Sequence, residues 1–416
     1  MVQSSLAKRY RSEKGFRAFG ILSIAVGLVA LSCLFVGIIG SGIGGFTQTK
    51  VRLELDLSVE LLGITDTHNA EQIKDADYQP VVREALALRF PQVEGRSDKR
   101  LLNAIMSVGA GYEVQALMRK HPEWLGTKQT IWLTADDDVD VYYKSRKGKV
   151  LGDRLKEQQI GWIEELIAKG DMERKFNVAF FMSGDSAEPE LAGILGTLLG
   201  SIFTLSITLS LSFPIGVAAA IYLEEYAPRN KFTDFIEVNI NNLAAVPSVI
   251  FGLLGLAIFI NLFHLPRSIP LVGGLVLTLI TLPTIIISSR VAIKSVPPSI
   301  REAALGIGAS KMQTILHHVL PLALPGMLTG AIIGMAHALG ETAPLLMIGM
   351  VAFVMDIPDS IHSAATVLPV QIFLWSDSPE RAFVERTSAA IMVLLMFLIC
   401  MNTLAVVLRK RLERRW

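Results

Sequence analysis

Long runs of apolar residues without a charged side chain alternate along this chain with polar segments, most of them short. Six runs lack Asp, Glu, Lys and Arg, and they cover residues 18–49, 191–223, 238–266, 268–289, 312–340 and 387–408. A helix needs about 20 apolar residues to cross the hydrocarbon core of a bilayer, and every run reaches that length. The pattern therefore predicts an all-α membrane protein with six transmembrane helices.

Residues 46–190 form a block of different composition between the first two runs. Charged residues occupy 45 of its 145 positions but only 32 of the other 271. Apolar and polar residues alternate at 51–57, which predicts a half-buried strand. Helical spacing at 81–90, 100–120 and 155–168, with further strands at 130–134 and 176–181, predicts an α+β domain. We expect this domain to be inserted between residues 1–45, which hold the first span, and residues 191–416, which hold the other five.

Basic residues set the expected orientation. Lys and Arg number 16 in the N-terminal segment, 229–231, 290–311 and the C-terminal tail, against three in the short loops of the opposite face. Because short loops rich in Lys and Arg stay in the cytoplasm, both termini are predicted to be cytoplasmic and residues 46–190 to lie outside. The first run is longer than the apolar part of a secretory signal, so we expect an uncleaved anchor. Segment 361–375 is too short to span, and we expect a re-entrant or interfacial element there.

Composition and context exclude several kinds of site. The net charge of +1 argues against nucleic-acid binding. A GxGxxG pattern at 40–45 ends a membrane span instead of following a strand, so it does not predict nucleotide binding. The acidic run at 136–140 lacks the glycine and closing Glu of a calcium loop, and we interpret it as a solvated turn. His317 and His318 are adjacent and do not share a helix face, so no metal site is predicted, and no catalytic residues are expected.

Ionisable residues at membrane depth are costly and mark transport pathways or internal pairs. His337 and Glu341 lie one turn apart near the end of the fifth run, followed by Thr342, and Arg290 closes the fourth run. We predict a substrate pathway at these four residues, with an interfacial role as the alternative for Arg290. Small residues recur every fourth position in the same run and predict a close helix-packing face. They are Gly326, Gly330, Gly334 and Ala338.

The predicted cytoplasmic segment between the fourth and fifth runs carries a recognisable pattern. It contains Arg301, Glu302, Ala303, Ala304 and Gly308, followed by Leu320 and Pro321. This segment resembles the EAA loop of ABC importer permeases, with His318 where that family usually has Ile. The resemblance implies a short helix that docks into a separate ATPase. We expect Ala303 and Ala304 to allow close docking, Arg301 and Glu302 to make polar contacts, and Gly308 to end or bend the helix.

A second resemblance narrows the family. Residues 338–346 are similar to the GETAPLL signature of PstA-type permease subunits of phosphate-specific ABC importers, and 242–252 and 368–371 resemble two further segments of those subunits. The similarity covers roughly residues 190–416, and the block at 46–190 looks like the extra N-terminal domain of some members. Where many relatives carry an Arg and a Glu three positions apart, this chain has Ile287 and Arg290, and His337 replaces the basic residue that often precedes GETAP.

The PstA-type resemblance implies an inorganic phosphate importer in the bacterial inner membrane. The expected partners are a PstC-type second permease, two copies of an ABC ATPase that use ATP and magnesium, a periplasmic phosphate-binding protein and membrane lipid. The chain itself is expected to bind no cofactor. An ABC permease for another oxyanion or phosphonate stays open as an alternative. A membrane-anchored sensor or enzyme is disfavoured because the predicted cytoplasmic segments are too short for an output domain, and the outer block shows no nucleophile and base.

Overall fold

The first helix and the first strand follow one another almost directly. The computed structural model describes residues 2–64, 70–145 and 154–412. Helix α1 (Val2–Gly42) ends earlier than the apolar run, which continues to Thr49. A 3₁₀ turn at Ile43–Phe46 leads into β1 (Thr47–Asp56). The end of the predicted first span is therefore corrected, because Thr47 to Thr49 pair with another strand. Arg414 and Arg415 of the predicted cytoplasmic tail lie outside the described residues.

The outer block folds around a three-stranded antiparallel sheet. Its other strands are β2 (Lys128–Thr134) and β3 (Met172–Phe176), and the order is β2-β1-β3. Leu53 pairs with Ile131, and Thr49 pairs with Arg174. Val51, Leu53 and Leu55 are buried while Arg52 and Glu54 are exposed. The alternation at 51–57 and the strand at 130–134 are thus confirmed.

Helices cover the sheet of the outer block. They are α2 (Val59–Leu62), α3 (Ala70–Asp75), α4 (Gln79–Arg89), α5 (Arg96–Asn103), α6 (Ala110–Lys120), α7 (Asp137–Ser145), α8 (Glu157–Ala168) and α9 (Val178–Met182). The single helix predicted at 100–120 is wrong, because Ser107 N donates to Thr134 O at 3.1 Å and breaks it into α5 and α6. The strand predicted at 176–181 is also wrong. Asn177 accepts a hydrogen bond from Phe180 N at 3.0 Å, which caps α9 and ends β3.

From Leu195 to Leu412 the chain consists mainly of helices, several of them long. It contains α10 (Leu195–Ile221), α11 (Lys231–Ala244), α12 (Ser248–Gly255), α13 (Pro270–Lys294), α14 (Pro298–Gly306), α15 (Lys311–Thr314), α16 (Leu320–Gly340), α17 (Ala343–Met347), α18 (Leu368–Ser376) and α19 (Ala382–Leu412). Helix α10 continues through a π-helical turn at Tyr222–Tyr226, α12 through one at Leu256–Leu262, and a third at Ile315–Val319 joins α15 to α16. Among the described residues, five helices are long and apolar enough to cross a membrane, and the number is six if one bent pair of helices counts as a single span.

The third predicted span is the bent one. Residues 238–266 were expected to form one helix, but α11 and the helix that begins at Ser248 meet at an angle of 100°. Pro247 directly precedes the second helix of the pair. A proline has no backbone N–H to donate, and it disfavours helical geometry in the residue before it. The all-α membrane class with an inserted α+β domain is confirmed, and one of up to six candidate spans among the described residues is broken instead of straight.

Short polar contacts join the outer domain to the membrane helices. Lys144 Nζ lies 2.9 Å from Glu385 Oε2 on α19, and Trp375 Nε1 on α18 donates to Asp185 Oδ1 at 3.1 Å. A Cβ added at Gly45 would lie 2.8 Å from Ala389 Cβ, so this residue of the GxGxxG pattern serves close packing against α19. Helix α18, within the segment predicted to be re-entrant or interfacial, has only nine residues and is too short to span.

Candidate functional site

Helix α14 forms the centre of the segment that resembles an EAA loop. It begins after Pro297 and ends at Gly306, and Gly308 has φ +90°, a conformation that glycine adopts without strain. Glu302 and Ala303 are exposed, but Ala304 is only 4% exposed. Ala304 therefore packs inside this chain, and the surface open to a partner consists of Glu302, Ala303 and their neighbours toward Gly308. An acidic replacement at Ala304 would disturb folding before it tested docking.

Arg301 points inward from α14 instead of toward the open surface. Its Nη2 donates to Glu225 Oε1 at 2.8 Å, and its Nη1 donates to Val296 O at 2.7 Å. The expectation that Arg301 makes an exposed polar contact with an ATPase does not match this position. The side chain binds its own helix to the end of α10.

Arg290 is also held in ion pairs within the chain. Its Nε lies 2.5 Å from Glu224 Oε1, and its Nη2 lies 2.6 Å from Glu237 Oε1. Lys294 Nζ approaches Glu224 Oε1 at 3.3 Å. These contacts connect the end of α13 to α10 and α11. The anionic partners neutralise Arg290, so its charge is directed to this cluster and not toward an open space.

The small-residue face of α16 packs against α13. A Cβ at Gly326 would lie 2.7 Å from Ala292 Cβ, and one at Gly330 would overlap the Ser288 side chain. Gly334 has more room, since its nearest neighbour, Ile285 Cγ1, would be 3.7 Å away. Ala338 at the end of this face is 2% exposed. Gly330 is the position where the approach of the two helices requires glycine most strictly.

His337 and Glu341 meet where α16 ends. His337 Nε2 lies 2.7 Å from Glu341 Oε1, and Thr342 follows directly before α17. The His337 side chain is 59% exposed and that of Glu341 is 14% exposed. The imidazole is therefore accessible on one side of the helix bundle, whereas the carboxylate packs against the bundle. This arrangement offers one proton acceptor beside one donor.

The four predicted pathway residues occupy two separate places. Gly330 contacts Ser288 and Gly326 contacts Ala292, so Arg290 lies level with the part of α16 between those glycines. At 1.5 Å per residue, that level is about 20 Å from Glu341 along the helix. The structure brings His337, Glu341 and Thr342 together and leaves Arg290 near the other end of the bundle.

The acidic run at 136–140 is less exposed than a solvated turn. Asp138 N donates to Asp136 Oδ1 at 3.1 Å, which caps the first turn of α7. The carboxylate oxygens of Asp136, Asp137 and Asp138 lie within 4.8 Å of one another, and the capping role accounts for their position. Burial, then the neighbouring Asp137, raises the pKa of Asp136 to about 8. Burial also raises the pKa of Glu190 to about 7.

Three functional acids were missed in the sequence. Glu224, Glu225 and Glu237 pair with the two arginines described above, yet none belongs to a motif. The available signal was position, since Glu224 and Glu225 follow an apolar run directly. An acidic pair at the end of a span, with two arginines near the end of another, favours an internal ion cluster.

The two parts of the chain match two different families of known proteins. Residues 3–151 match the domain of unknown function DUF3333, and residues 212–416 match the family described as binding-protein-dependent transport system inner membrane component. The probable ABC transporter permease protein YqgI of Bacillus subtilis is 36% identical over 45% of this chain and 63% of its own length. This chain therefore spans less than two thirds of that relative.

Two further relatives are matched over more of their length. The probable ABC transporter permease protein YqgH of Bacillus subtilis is 30% identical over 54% of this chain and 72% of its own. The phosphate transport system permease protein PstA 1 of Mycobacterium tuberculosis strain CDC 1551 / Oshkosh is 28% identical over 56% and 76%. The resemblance to PstA-type permeases and to transport subunits, not enzymes, is confirmed. With its membrane helices and EAA-like loop, the chain belongs to the binding-protein-dependent transport system inner membrane components, the multi-pass permeases of ABC transporters.

Proposed function

We propose that this chain is a permease subunit of an ATP-driven importer of inorganic phosphate. The observation that carries the proposal is the His337–Glu341 pair, 2.7 Å apart, in the segment that resembles GETAPLL. Several similar proteins are named phosphate transport system permeases, including a PstC protein of Haemophilus influenzae. A pathway between this chain and a PstC-type permease would place the exposed side of His337 next to the second subunit.

The remaining parts of the proposed assembly follow from the same family. Two copies of an ABC ATPase bind ATP and magnesium, and one of them docks on the exposed side of α14. A periplasmic phosphate-binding protein delivers the substrate at the opposite face, where the outer domain lies. Both termini and α14 are then cytoplasmic, in agreement with the basic residues of those segments. Isolation of the complex with a second permease and an ATPase tests this composition.

The chemistry of the pair suits hydrogen phosphate. This anion carries a proton that the Glu341 carboxylate accepts, while the His337 N–H donates to a phosphate oxygen. Sulfate has no proton at neutral pH, so its oxygens would face the carboxylate without a hydrogen bond. Such an unpaired contact between buried groups costs enough to discriminate strongly between otherwise similar ligands.

Uptake by the reconstituted complex tests the substrate and the role of Glu341. With the binding protein and ATP present, radiolabelled phosphate is expected to enter vesicles while sulfate and a phosphonate do not. Glu341→Gln replaces the carboxylate with a neutral amide, whose NH2 group can face the phosphate proton, and is expected to lower phosphate uptake by roughly 10- to 100-fold. Entry of a phosphonate in place of phosphate would support the alternative permease class. Normal phosphate flux and unchanged sulfate exclusion in Glu341→Gln would disprove the role of the carboxylate.

A further inference from the structure

The guanidinium of Arg301 joins three helices through four hydrogen bonds. Nε and Nη2 donate to Glu225 Oε1 at 3.0 and 2.8 Å. Nη1 donates to Val296 O at 2.7 Å, and Nη2 donates to Ile293 O at 3.0 Å. Arg301 belongs to α14, Ile293 and Val296 lie at the end of α13, and Glu225 lies at the end of α10. One side chain therefore fixes the relative position of these three helix ends.

Arg301 holds its acceptors where α13 ends. Ile293 O also accepts a hydrogen bond from Val296 N at 3.2 Å, and Val296 lies just beyond the last residue of the helix. The side chains of Arg301 and Glu225 are only 23% and 12% exposed, so little water is available to replace the contact. A planar guanidinium can reach a carboxylate and two carbonyls at once, whereas a lysine ammonium cannot match that geometry.

A π-helical turn lets two adjacent glutamates of α10 hold two different helices. Glu224 and Glu225 both lie in the turn at Tyr222–Tyr226. Glu224 pairs with Arg290 of α13 at 2.5 Å, while Glu225 pairs with Arg301 of α14. Adjacent residues on a helix point in different directions, and π-helical turns are frequent at functional positions. Helix α10 is thereby tied both to α13 and to the helix exposed for a partner.

A continuous set of contacts leads from this joint to the proposed pathway. Helix α13 continues from the joint toward its contact with α16, where Gly330 lies against Ser288. Helix α16 ends beside Glu341. The opposite side of α14 remains exposed, with Leu305 at 52% and Ile307 just beyond the helix at 84% exposure. Arg301 therefore links α14 to the spans, beside the packing of Ile300 against the apolar cluster that includes Ile293 and Val319.

On the basis of the proposed function, we propose that Arg301 and Glu225 form a transmission joint that carries motion of α14 into α10 and α13. Both are positioning residues, since neither faces the pathway nor the exposed side of α14. Loss of the joint leaves α14 able to bind an ATPase but attached to the spans by apolar packing of residues such as Ile300 and Ala304, without the polar link to α10. ATP hydrolysis then continues while transport falls.

The test uses the full reconstituted complex and compares transport with ATP hydrolysis. In Arg301→Glu and in Glu225→Arg, two like charges face each other, and phosphate uptake per ATP hydrolysed is expected to fall at least about fivefold. The exchanged pair, Arg301→Glu with Glu225→Arg, restores opposite charges but leaves the carbonyls of Ile293 and Val296 without the guanidinium donor, so part of the ratio is expected to return. Arg229→Glu, an exposed charge reversal in the loop after the same turn, serves as the matched control and should leave the ratio unchanged.

The outcomes separate transmission from docking and from folding. An unchanged ratio in both single variants, or a lower ratio in the exchanged pair than in either single variant, would overturn the proposal. Loss of the ATPase from purified Arg301→Glu would also overturn it, because Arg301 would then be a docking contact. If the reversals do not fold, Arg301→Lys and Glu225→Gln address the same ratio with smaller changes. If the unaltered complex hydrolyses ATP but imports another anion, the substrate proposal fails, and the joint is tested with that anion.

Discussion

Two clusters of charged side chains, each partly buried, differ in the balance of their charges. The cytoplasmic-end cluster, named for the predicted orientation of the chain, contains Glu224, Glu225, Glu237, Arg290, Lys294 and Arg301. The outer cluster, where the outer domain meets α19, contains Asp136, Asp137, Asp140, Glu190, Glu385, Lys144 and Arg386. The first has three acids and three bases. The second has five acids and two bases among the described residues.

The two clusters are therefore expected to respond differently to pH. Every acid of the cytoplasmic-end cluster has a basic partner within 3.3 Å, so its charges compensate each other at any pH near neutrality. In the outer cluster, burial raises the pKa of Glu190 to about 7 and that of Asp136 to about 8. Because this cluster has more acids than bases, protons on the acids compensate for the basic side chains that it lacks. The first cluster suits transmission of force, and we expect stability around the second to depend on pH.

Removal of Arg290 is expected to have the largest effect on stability. Arg290→Met leaves Glu224 and Glu237 without their closest partner, and an uncompensated buried charge costs about 4 kcal/mol. The apparent melting temperature of the full-length protein in detergent should fall by roughly 5 °C or more. The double variant Arg290→Met with Glu224→Gln removes one acid as well and should regain much of the loss. Equal melting temperatures of the single variant and the unaltered protein would show that the cluster is not a fixed joint.

Removal of Lys144 from the outer cluster is expected to have a smaller effect on stability. Its side chain is 7% exposed and lies 2.6 Å from Asp140 and 2.9 Å from Glu385. Lys144→Ala is expected to cost about 3 kcal/mol, less than loss of Arg290, because Asp140 keeps its hydrogen bonds from Thr49. Lys169→Ala is the control, since Lys169 is 46% exposed in its pair with Glu165 and should change the melting temperature by less than about 1 °C. Similar losses in the two variants would contradict the burial argument.

The membrane part of the fold was predictable because a bilayer imposes a single rule on span length. The outer sheet was partly predictable, since alternation identifies β1. The break at Pro247 and the end of β3 at Asn177 depend on single residues, which a periodicity of several residues does not resolve. The helix predicted at 100–120 failed because Ser107 pairs with Thr134, a contact that only the folded chain brings together.

The candidate site shows the same limit at the level of side chains. Sequence reasoning found His337 and Glu341 because both residues of the pair lie one turn apart on one helix. It assigned Arg301 to the open side of α14 because the partner, Glu225, is 76 residues away. Which neighbouring helix a side chain points toward depends on how the helices pack, and the sequence of one helix does not give this information.

Glu190 gives the smallest of these effects and isolates the pH dependence of the outer cluster. It is 2% exposed, and Ser107 Oγ donates to its Oε1 at 2.6 Å. Because its pKa rises from 4.5 to about 7 on folding, the folded protein keeps a proton that the unfolded chain releases. Its contribution is fully present below pH 4.5 and is lost as the pH rises through about 7.

Between pH 5 and 6.5 this one group should lower the free energy of unfolding by about 2 kcal/mol. Glu190→Gln keeps the shape of the side chain without a titratable proton, so the melting temperature of the variant should fall by roughly 2 °C less over that range. Asp136 still titrates in the variant, and some pH dependence therefore remains. An identical fall in both proteins would mean that Arg386 keeps Glu190 ionised, and the outer cluster would then be as fixed as the cytoplasmic-end cluster.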